Sequence, residues 1–189
     1  SVPLYHVYPG SNAPTGISKY DLPEVWYLLG KFLAETTVKK IGQNFKYDQD
    51  KLDCLGMPIG ELYADTMLLQ HTLYPEFWQS LAFQTSTWTE EPFYKDEGST
   101  FDPGKSKIEQ LYLYNAKDAA VTLEVFLKQL EELHALNLGP WFFNFRMKLH
   151  QLYLDMERVG FRVDEEKRVE LIKKYAYWQE ETHYLTWKM

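Results

Sequence analysis

Two pairs of polar residues in this chain have the spacing of one helical turn. Asn44 and Asp48 lie in the stretch GQNFKYD, and Tyr114 and Asp118 lie in YNAKD. On a helix, residues four positions apart project from the same face, one above the other. Carboxylate oxygens are the ligands that hard divalent ions such as Mg²⁺ prefer. Each pair could form half of a metal site, and each could equally be a helix cap or part of a solvated face.

The first pair falls within an alternation of predicted strands and helices. The predicted elements are a strand over Leu4–Tyr8, a helix over 22–35 with Asp21 as N-cap, a strand over Val38–Ile41 that Gly42 ends, a helix over 44–55, and a strand over 61–65. Asp65 is positioned to cap the helix that follows. Such alternation is typical of a parallel sheet covered by helices, so the expected fold class is α/β.

The second half of the chain is predicted to be mostly helical. We expect a short helix over 79–88, a loop over 89–106, a long helix over about 107–136, a helix over about 141–159, and a last helix capped by Asp164. Apolar residues at helical spacing predict the buried face of the long helix. These residues are Leu113, Ala116, Ala120, Leu123, Leu127 and Leu130.

Asp118 is offset from that leucine face, so it is not expected in the core. Ala119 and Ala120 follow it and indicate that the helix packs closely against another element. A carboxylate near such a contact needs a partner, because a charge without one is costly to remove from water. We therefore expect either a cation or hydrogen-bond donors beside Asp118.

The composition indicates a globular protein without strong duplex-binding character. The chain has 189 residues, 45% of them hydrophobic, and a formal net charge of −7. This charge argues against a face that binds duplex nucleic acid, but it allows a cleft that holds a few nucleotides through metal ions. The single cysteine, Cys54, excludes an internal disulfide and fits a reducing cytoplasm. No apolar run is long enough to span a bilayer, so no membrane association is expected.

Four stretches together resemble a known family. GQNFKYDQDKL, ADTMLLQHTLYP, SLAFQTS and YNAKDAAVTLEVF are similar to the proofreading 3′→5′ exonuclease domain of family A DNA polymerases, the polymerase I type. The parent group is the DEDD exonucleases, on a ribonuclease H-like fold. GQNFKYD resembles the second motif of that group and YNAKD its third motif in the tyrosine version. The resemblance covers residues 1–137.

Residues 138–189 carry a separate resemblance. The stretch LYLDMERVGFRVDEEKRVEL is similar to the segment that leads such chains into their polymerase domain. This implies that 138–189 begin the polymerase domain of a parent chain. The loop around EPFYKDEG is similar to phage-encoded members, which implies the cytoplasm of a bacterium or of a phage-infected host.

The family resemblance implies an activity and roles for individual residues. The implied reaction is hydrolysis of the 3′-terminal nucleotide of single-stranded DNA with two divalent ions, Mg²⁺ or Mn²⁺. Asp118 and Asp48 would be metal ligands, and Tyr114 would orient the attacking water. Contacts to the DNA end would come from four further residues. These are Gln43 and Asn44, which would donate hydrogen bonds, and Phe93 or Tyr94, which would stack on a base.

One part of the family pattern has no counterpart in this sequence. The first motif, Asp-x-Glu on the first strand, would supply two more carboxylates. The acids before Asn44 are Asp21, Glu24 and Glu35, and all three fit the predicted helix. We therefore expect that the motif precedes Ser1 and that the chain is a piece of a larger protein lacking its first strands. Such a piece would be inactive, would hold the ions weakly or not at all, and would pair with another copy through its exposed sheet edge.

Three other interpretations fit the sequence. A ribonuclease D-like or Werner-type 3′→5′ exonuclease would use the same catalysis on other nucleic acid ends. A degenerate exonuclease fold could serve as a non-catalytic scaffold inside a polymerase. A generic α/β binding module would carry the two motifs by chance.

Overall fold

The computed structural model describes residues 21–96 and 108–187. The predicted strand over Leu4–Tyr8 and most of the predicted 89–106 loop lie outside these residues. The chain divides into two compact units between Leu154 and Asp155. The first unit contains all the predicted site residues.

The first helix, α1, spans Leu22–Ala34, close to the predicted bounds. The predicted capping role of Asp21 is wrong, because its side chain makes no capping hydrogen bond. Its backbone is already helical, with φ −89° and ψ −16°. A capping side chain reaches the first amides from an extended backbone, so Asp21 is badly placed for the role.

A small parallel sheet follows. Strand β1 spans Lys40–Gly42, helix α2 spans Phe45–Cys54, and strand β2 spans Leu62–Asp65. β1 pairs with β2 in parallel, with Gly42 opposite Asp65. Within the described residues these are the only two strands of the sheet. The carboxyl ends of both strands therefore meet at one edge of the sheet. At this edge GQN connects β1 to α2, and Asp65 caps the next helix.

The rest of the first unit is helical. Its helices are α3 (Thr66–Leu73), α4 (Leu81–Trp88), α5 (Ile108–Ala135), α6 (Gly139–Trp141) and α7 (Met147–Val159), which continues past Leu154. Residues Phe142–Arg146 form a π-helical turn between α6 and α7. The sequence predicted one continuous helix over about 141–159, because single π turns inside helices are rare and carry no distinctive sequence signal. The mixed helix and strand content, with a small parallel sheet, agrees with the expected α/β class.

The predicted core face of α5 is wrong. Leu113, Leu123 and Leu127 are 58%, 50% and 51% exposed. The residues of α5 that are buried are Val121, Thr122, Val125, Phe126, Gln129 and Leu133. Both faces of the helix carry apolar residues at helical spacing. The prediction chose the face with more leucines, and the other face is the buried one. The main core consists of Ala64, Leu69, Leu73, Phe126, Leu133 and Phe142.

A chain of amide side chains runs through this core. Gln129 Nε2 donates to Gln84 Oε1 at 2.9 Å and to Gln70 Oε1 at 3.2 Å. Trp88 Nε1 donates to Gln70 Oε1 at 2.7 Å. Gln84 Nε2 in turn donates to Gln43 Oε1 at 3.0 Å. These bonds satisfy the amino group of the glutamine that α5 buries in its core face, whereas its Oε1 has no hydrogen-bond partner among the described residues.

The second unit contains helix α8, Glu165–Trp187. The Asp164 carboxylate accepts a hydrogen bond from the Lys167 amide at 2.9 Å, which confirms the predicted cap. Two ion pairs within the first turns, Lys167–Glu170 and Arg168–Glu165, support the helix. None of the described helices in either unit combines the length and apolar character that a membrane span requires.

Candidate active site

A cleft of about 660 Å³ opens at the carboxyl edge of the sheet, against α5. Its lining includes Gly42 and Gln43 after β1, Asp48 in α2, and Asp118 in α5. The structure therefore brings the two predicted carboxylate ligands to the walls of one cleft, although 70 residues of sequence separate them. Their roles as metal ligands stay predictions.

Asp118 is held by a cation and by a hydroxyl donor. Tyr94 Oη donates to Asp118 Oδ1 at 2.7 Å, and Lys95 Nζ forms an ion pair with the same oxygen. Lys95 Nζ also donates to Tyr114 Oη at 3.3 Å. The predicted need of this carboxylate for a partner is confirmed, and both kinds of partner are present. Tyr114 and Asp118 lie on one face of α5, and the ammonium group of Lys95 contacts both of them.

Tyr94 is placed differently from its predicted role. It is 6% exposed, and the edge of its ring meets Tyr114 with 5.9 Å between ring centroids. Burial, and then the hydrogen bond that its hydroxyl donates to the Asp118 carboxylate, hold the pKa of Tyr94 far above its usual range. Little of this ring is accessible, so Tyr94 is less suited than Phe93 to the predicted stacking, which stays a prediction. Phe93 is 59% exposed and remains the candidate for that role.

Asp48 lies in the first turn of α2 and is exposed at the helix surface. Partial desolvation raises the pKa of its carboxyl group, and the negative charge of Asp65 raises it further. Both effects disfavour the ionised form, and a bound cation would reverse them. Asp48 therefore lies near a second carboxylate, Asp65, and lines the cleft, where there is room for a cation.

Gln43 and Asn44 have different surroundings. Gln43 Nε2 donates to the carbonyl of Gln79 at 2.8 Å, and Gln43 Oε1 accepts from Gln84 and from the Thr66 hydroxyl. These bonds use its oxygen and one of the two N–H groups of its amide, so its predicted donation to DNA stays a prediction. The side chain of Asn44 is exposed and makes no capping bond. Its backbone is left-handed, with φ 52°, a conformation that asparagine tolerates better than most residues.

Asp65 is the residue whose importance the sequence reading underestimated. It caps α3 as predicted, accepting from the amides of Met67 at 2.8 Å and Leu68 at 3.4 Å. It also accepts from the amides of Asn44 at 3.1 Å and Phe45 at 2.7 Å, the start of α2. One carboxylate, 1% exposed, therefore fixes the first turns of both helices. The position of an aspartate at the end of a buried strand predicts the cap of α3. It does not predict the hydrogen bonds to the start of α2.

Gly42 has a packing role beyond ending the strand. A Cβ atom at this position would overlap the ring of Phe45, which folds back over the end of β1. Glycine is the residue that leaves room for this close approach. The tight turn keeps Asp48, three residues after Phe45, beside the cleft.

The donor set has the oxygen chemistry that a hard divalent ion prefers. Among the described residues, no group of three histidine, cysteine, aspartate or glutamate side chains is arranged to hold a metal. The cleft offers two carboxylates, Asp48 and Asp118, and the phenol oxygen of Tyr114 lies beside the second. All are oxygen donors of the kind that Mg²⁺ and Mn²⁺ use. The ammonium of Lys95 on Asp118 shows that this carboxylate already attracts a cation.

Comparison with known protein families gives one match. The model of the 3′-5′ exonuclease domain found in family A DNA polymerases matches residues 11–134, more than half of the chain. The matched range includes every predicted site residue and the described parts of the cleft. The resemblance seen in the sequence is thereby confirmed at the level of the family. The chain belongs to the 3′-5′ exonuclease domains of family A DNA polymerases.

Proposed function

We propose that this domain hydrolyses the 3′-terminal nucleotide of single-stranded DNA, as the proofreading part of a DNA polymerase, with two divalent ions. The observation that carries the proposal is the meeting of Asp48 and Asp118 in one cleft, with Tyr114 beside Asp118. Membership of the exonuclease family supports the reaction class. The DNA substrate, the ions and the link to a polymerase are our inference.

The chemistry divides between ions and side chains. Bound Mg²⁺ or Mn²⁺ would acidify the attacking water and stabilise the leaving 3′-oxygen. Asp118 and Asp48 would hold the ions from opposite walls of the cleft. The Tyr114 hydroxyl would orient the attacking water by a hydrogen bond, and it needs no strong basicity for that role. The exposed amide of Asn44 would contact the end of the strand.

The charges that line the cleft are balanced, two lysines against two aspartates, although the whole chain carries a net charge of −7. Lys39 and Lys95 both line the cleft. The ammonium of Lys39 lies 4.0 Å from the ring centroid of Tyr63, so it is positioned at the rim by a cation–π contact. Cations at the rim attract a phosphate backbone over a range of about 10 Å at ordinary salt concentration.

One observation favours a second candidate, the non-catalytic scaffold. The ion pair between Lys95 and Asp118 covers the carboxylate that the reaction needs. A domain that had lost its activity could keep such a pair permanently. The two candidates differ in whether the intact protein digests DNA in a metal-dependent way.

We further propose that the chain as given is inactive by itself. Mg²⁺ binds poorly to two carboxylates because it gives up its water reluctantly. Residues 138–189 would lead into a polymerase domain, and the protein would act in the cytoplasm of a bacterium or a phage-infected host. The exposed thiol of Cys54 is compatible with a reducing compartment.

The activity prediction concerns the natural protein that contains this chain. With Mg²⁺ or Mn²⁺ it should shorten 5′-labelled single-stranded DNA stepwise from the 3′ end, and a chelator should stop the reaction. Gel analysis should show faster shortening of DNA than of RNA of the same sequence. The purified 189-residue chain should show no digestion.

Each alternative has its own result in this assay. Preference for RNA would indicate the ribonuclease D-like interpretation. Intact protein without any metal-dependent digestion would indicate the scaffold. Metal-dependent digestion by the 189-residue chain would overturn the proposed inactivity and leave the reaction class standing.

The chain should also self-associate. In the described residues β1 pairs with β2 on one side, and no further strand pairs with its other side. Exposed leucines of α5, such as Leu123 and Leu127, add apolar surface nearby. Sedimentation velocity at increasing concentration should show a dimer, and Leu127→Lys should weaken it by about tenfold in Kd, or ~1.4 kcal/mol. A monomer at every concentration would contradict the pairing.

A further inference from the structure

Lys95 occupies a central position that no motif predicted. Its ammonium group contacts both Asp118 Oδ1 and Tyr114 Oη, the two groups assigned to catalysis. The side chain of Lys95 is 18% exposed and that of Asp118 is 30% exposed. The pair is therefore shielded more than an ordinary surface ion pair, and its attraction is less screened by water.

Two aromatic rings fix the position of this ammonium. It lies 5.0 Å from the ring centroid of Tyr94 and 5.1 Å from that of Tyr114. These distances are within the range of cation–π attraction. The hydroxyl of Tyr94 also donates a hydrogen bond to Asp118, so one tyrosine contacts both the ammonium and the carboxylate. Lys95 thus sits in a site built for a cation.

The geometry points to Lys95 as a built-in counter-ion of the active site. We propose that it positions the Asp118 carboxylate and the Tyr114 hydroxyl toward the cleft, and that it leaves Asp118 when a divalent ion binds there. This rests on the proposed role of Asp118 as a metal ligand. Lys95 is a positioning residue, since it acts through Asp118 and Tyr114.

The physical reason is competition for one carboxylate. The ammonium and a divalent ion carry the same sign of charge, and both are attracted to the Asp118 carboxylate that Lys95 now contacts. Binding of the ion must therefore include the cost of moving the ammonium away from a carboxylate and two rings. A side chain with four rotatable bonds can make that movement without moving the backbone.

The test measures binding of Mn²⁺ to the intact protein that contains this chain by electron paramagnetic resonance, without any assay of activity. Lys95→Met should bind Mn²⁺ about tenfold more tightly than wild type, because the competing charge is gone. Lys95→Arg keeps the charge and should bind no more tightly than wild type. Circular dichroism establishes that each variant is folded.

Lys117 provides the matched control. It precedes Asp118 in sequence, and its ammonium lies 5.6 Å from the Tyr94 ring centroid. Lys117→Met removes a positive charge from the same region and should raise the Mn²⁺ affinity by less than about twofold. An equal gain from Lys117→Met and Lys95→Met would mean general electrostatics and would overturn the proposal.

Asp118→Asn separates the failure of this proposal from the failure of the proposed function. Added to Lys95→Met, it should abolish the gain in affinity. If Asp118→Asn leaves Mn²⁺ binding unchanged, Asp118 is not a ligand and the proposed function fails. If Asp118→Asn weakens binding but Lys95→Met does not strengthen it, the function stands and the counter-ion role is wrong. Absence of detectable binding by Lys95→Met also contradicts that role.

Discussion

Asp118→Ala should abolish removal of 3′-terminal nucleotides by the intact protein while leaving DNA synthesis unchanged. The expected loss is at least about a thousandfold, since several kcal/mol of charge stabilisation by a bound ion corresponds to that factor. The change removes the proposed metal ligand from the wall of the cleft and spares the core face of α5, because Asp118 is half-buried and lines the cleft. The measurement is single-turnover digestion of labelled single-stranded DNA beside primer extension.

Tyr114→Phe and Glu131→Ala give the contrast. Tyr114→Phe removes the hydroxyl that would orient the water but keeps both carboxylates, so it should slow digestion less severely. Glu131 is another acid of α5, with a side chain 75% exposed and only a long ion pair, 3.9 Å, to Lys128. Its replacement should leave digestion unchanged. Undiminished digestion by Asp118→Ala would refute the assignment of the site.

Asp65→Ala should cause the largest loss of folding stability of any single change at the site. The carboxylate accepts hydrogen bonds from four backbone amides in two helices and is 1% exposed. Removing it leaves these donors without a partner and takes away the cap of α3. We expect the free energy of unfolding to fall by about 3 kcal/mol, more than one cap is usually worth. Urea denaturation followed by circular dichroism measures this loss.

Asp164→Ala is the matched control for that experiment. Asp164 also caps a helix, through the Lys167 amide at 2.9 Å, but it is exposed and serves α8 alone. Its replacement should cost about 1 kcal/mol or less. Equal losses from the two variants would show that the bonds from Asp65 to the start of α2 contribute little.

The sequence was sufficient for features that depend on local chemistry. The bounds of α1, α2, α4 and α5 came within about two residues, because periodicity and capping residues act over one turn. The parallel pairing of β1 and β2 followed from their separation by a helix. Asp65 and Asp164 were foreseen as caps for the same reason.

Features that depend on contacts between distant segments were not foreseeable. The ion pair of Lys95 with Asp118 forms because the segment after α4 turns toward α5, and no periodicity encodes that path. The buried face of α5 was misassigned because Gln129 and Thr122 look polar in sequence and become core residues only through their hydrogen bonds. Tyr94 and Phe93 are neighbours of the same type, and only packing decides which of them is exposed.

The glutamine chain in the core has a fixed direction. The indole of Trp88 can only donate, so Gln70 must turn its oxygen toward Trp88. That oxygen then requires the amino group of Gln129. The amino group of Gln129 also donates to the oxygen of Gln84, and the amino group of Gln84 donates to the oxygen of Gln43. The amino group of Gln43 donates to the backbone carbonyl of Gln79, which can only accept. No member can rotate its amide alone, so the indole of Trp88, at the far end of this hydrogen-bond chain, determines which atom Gln43 turns to each neighbour at the cleft.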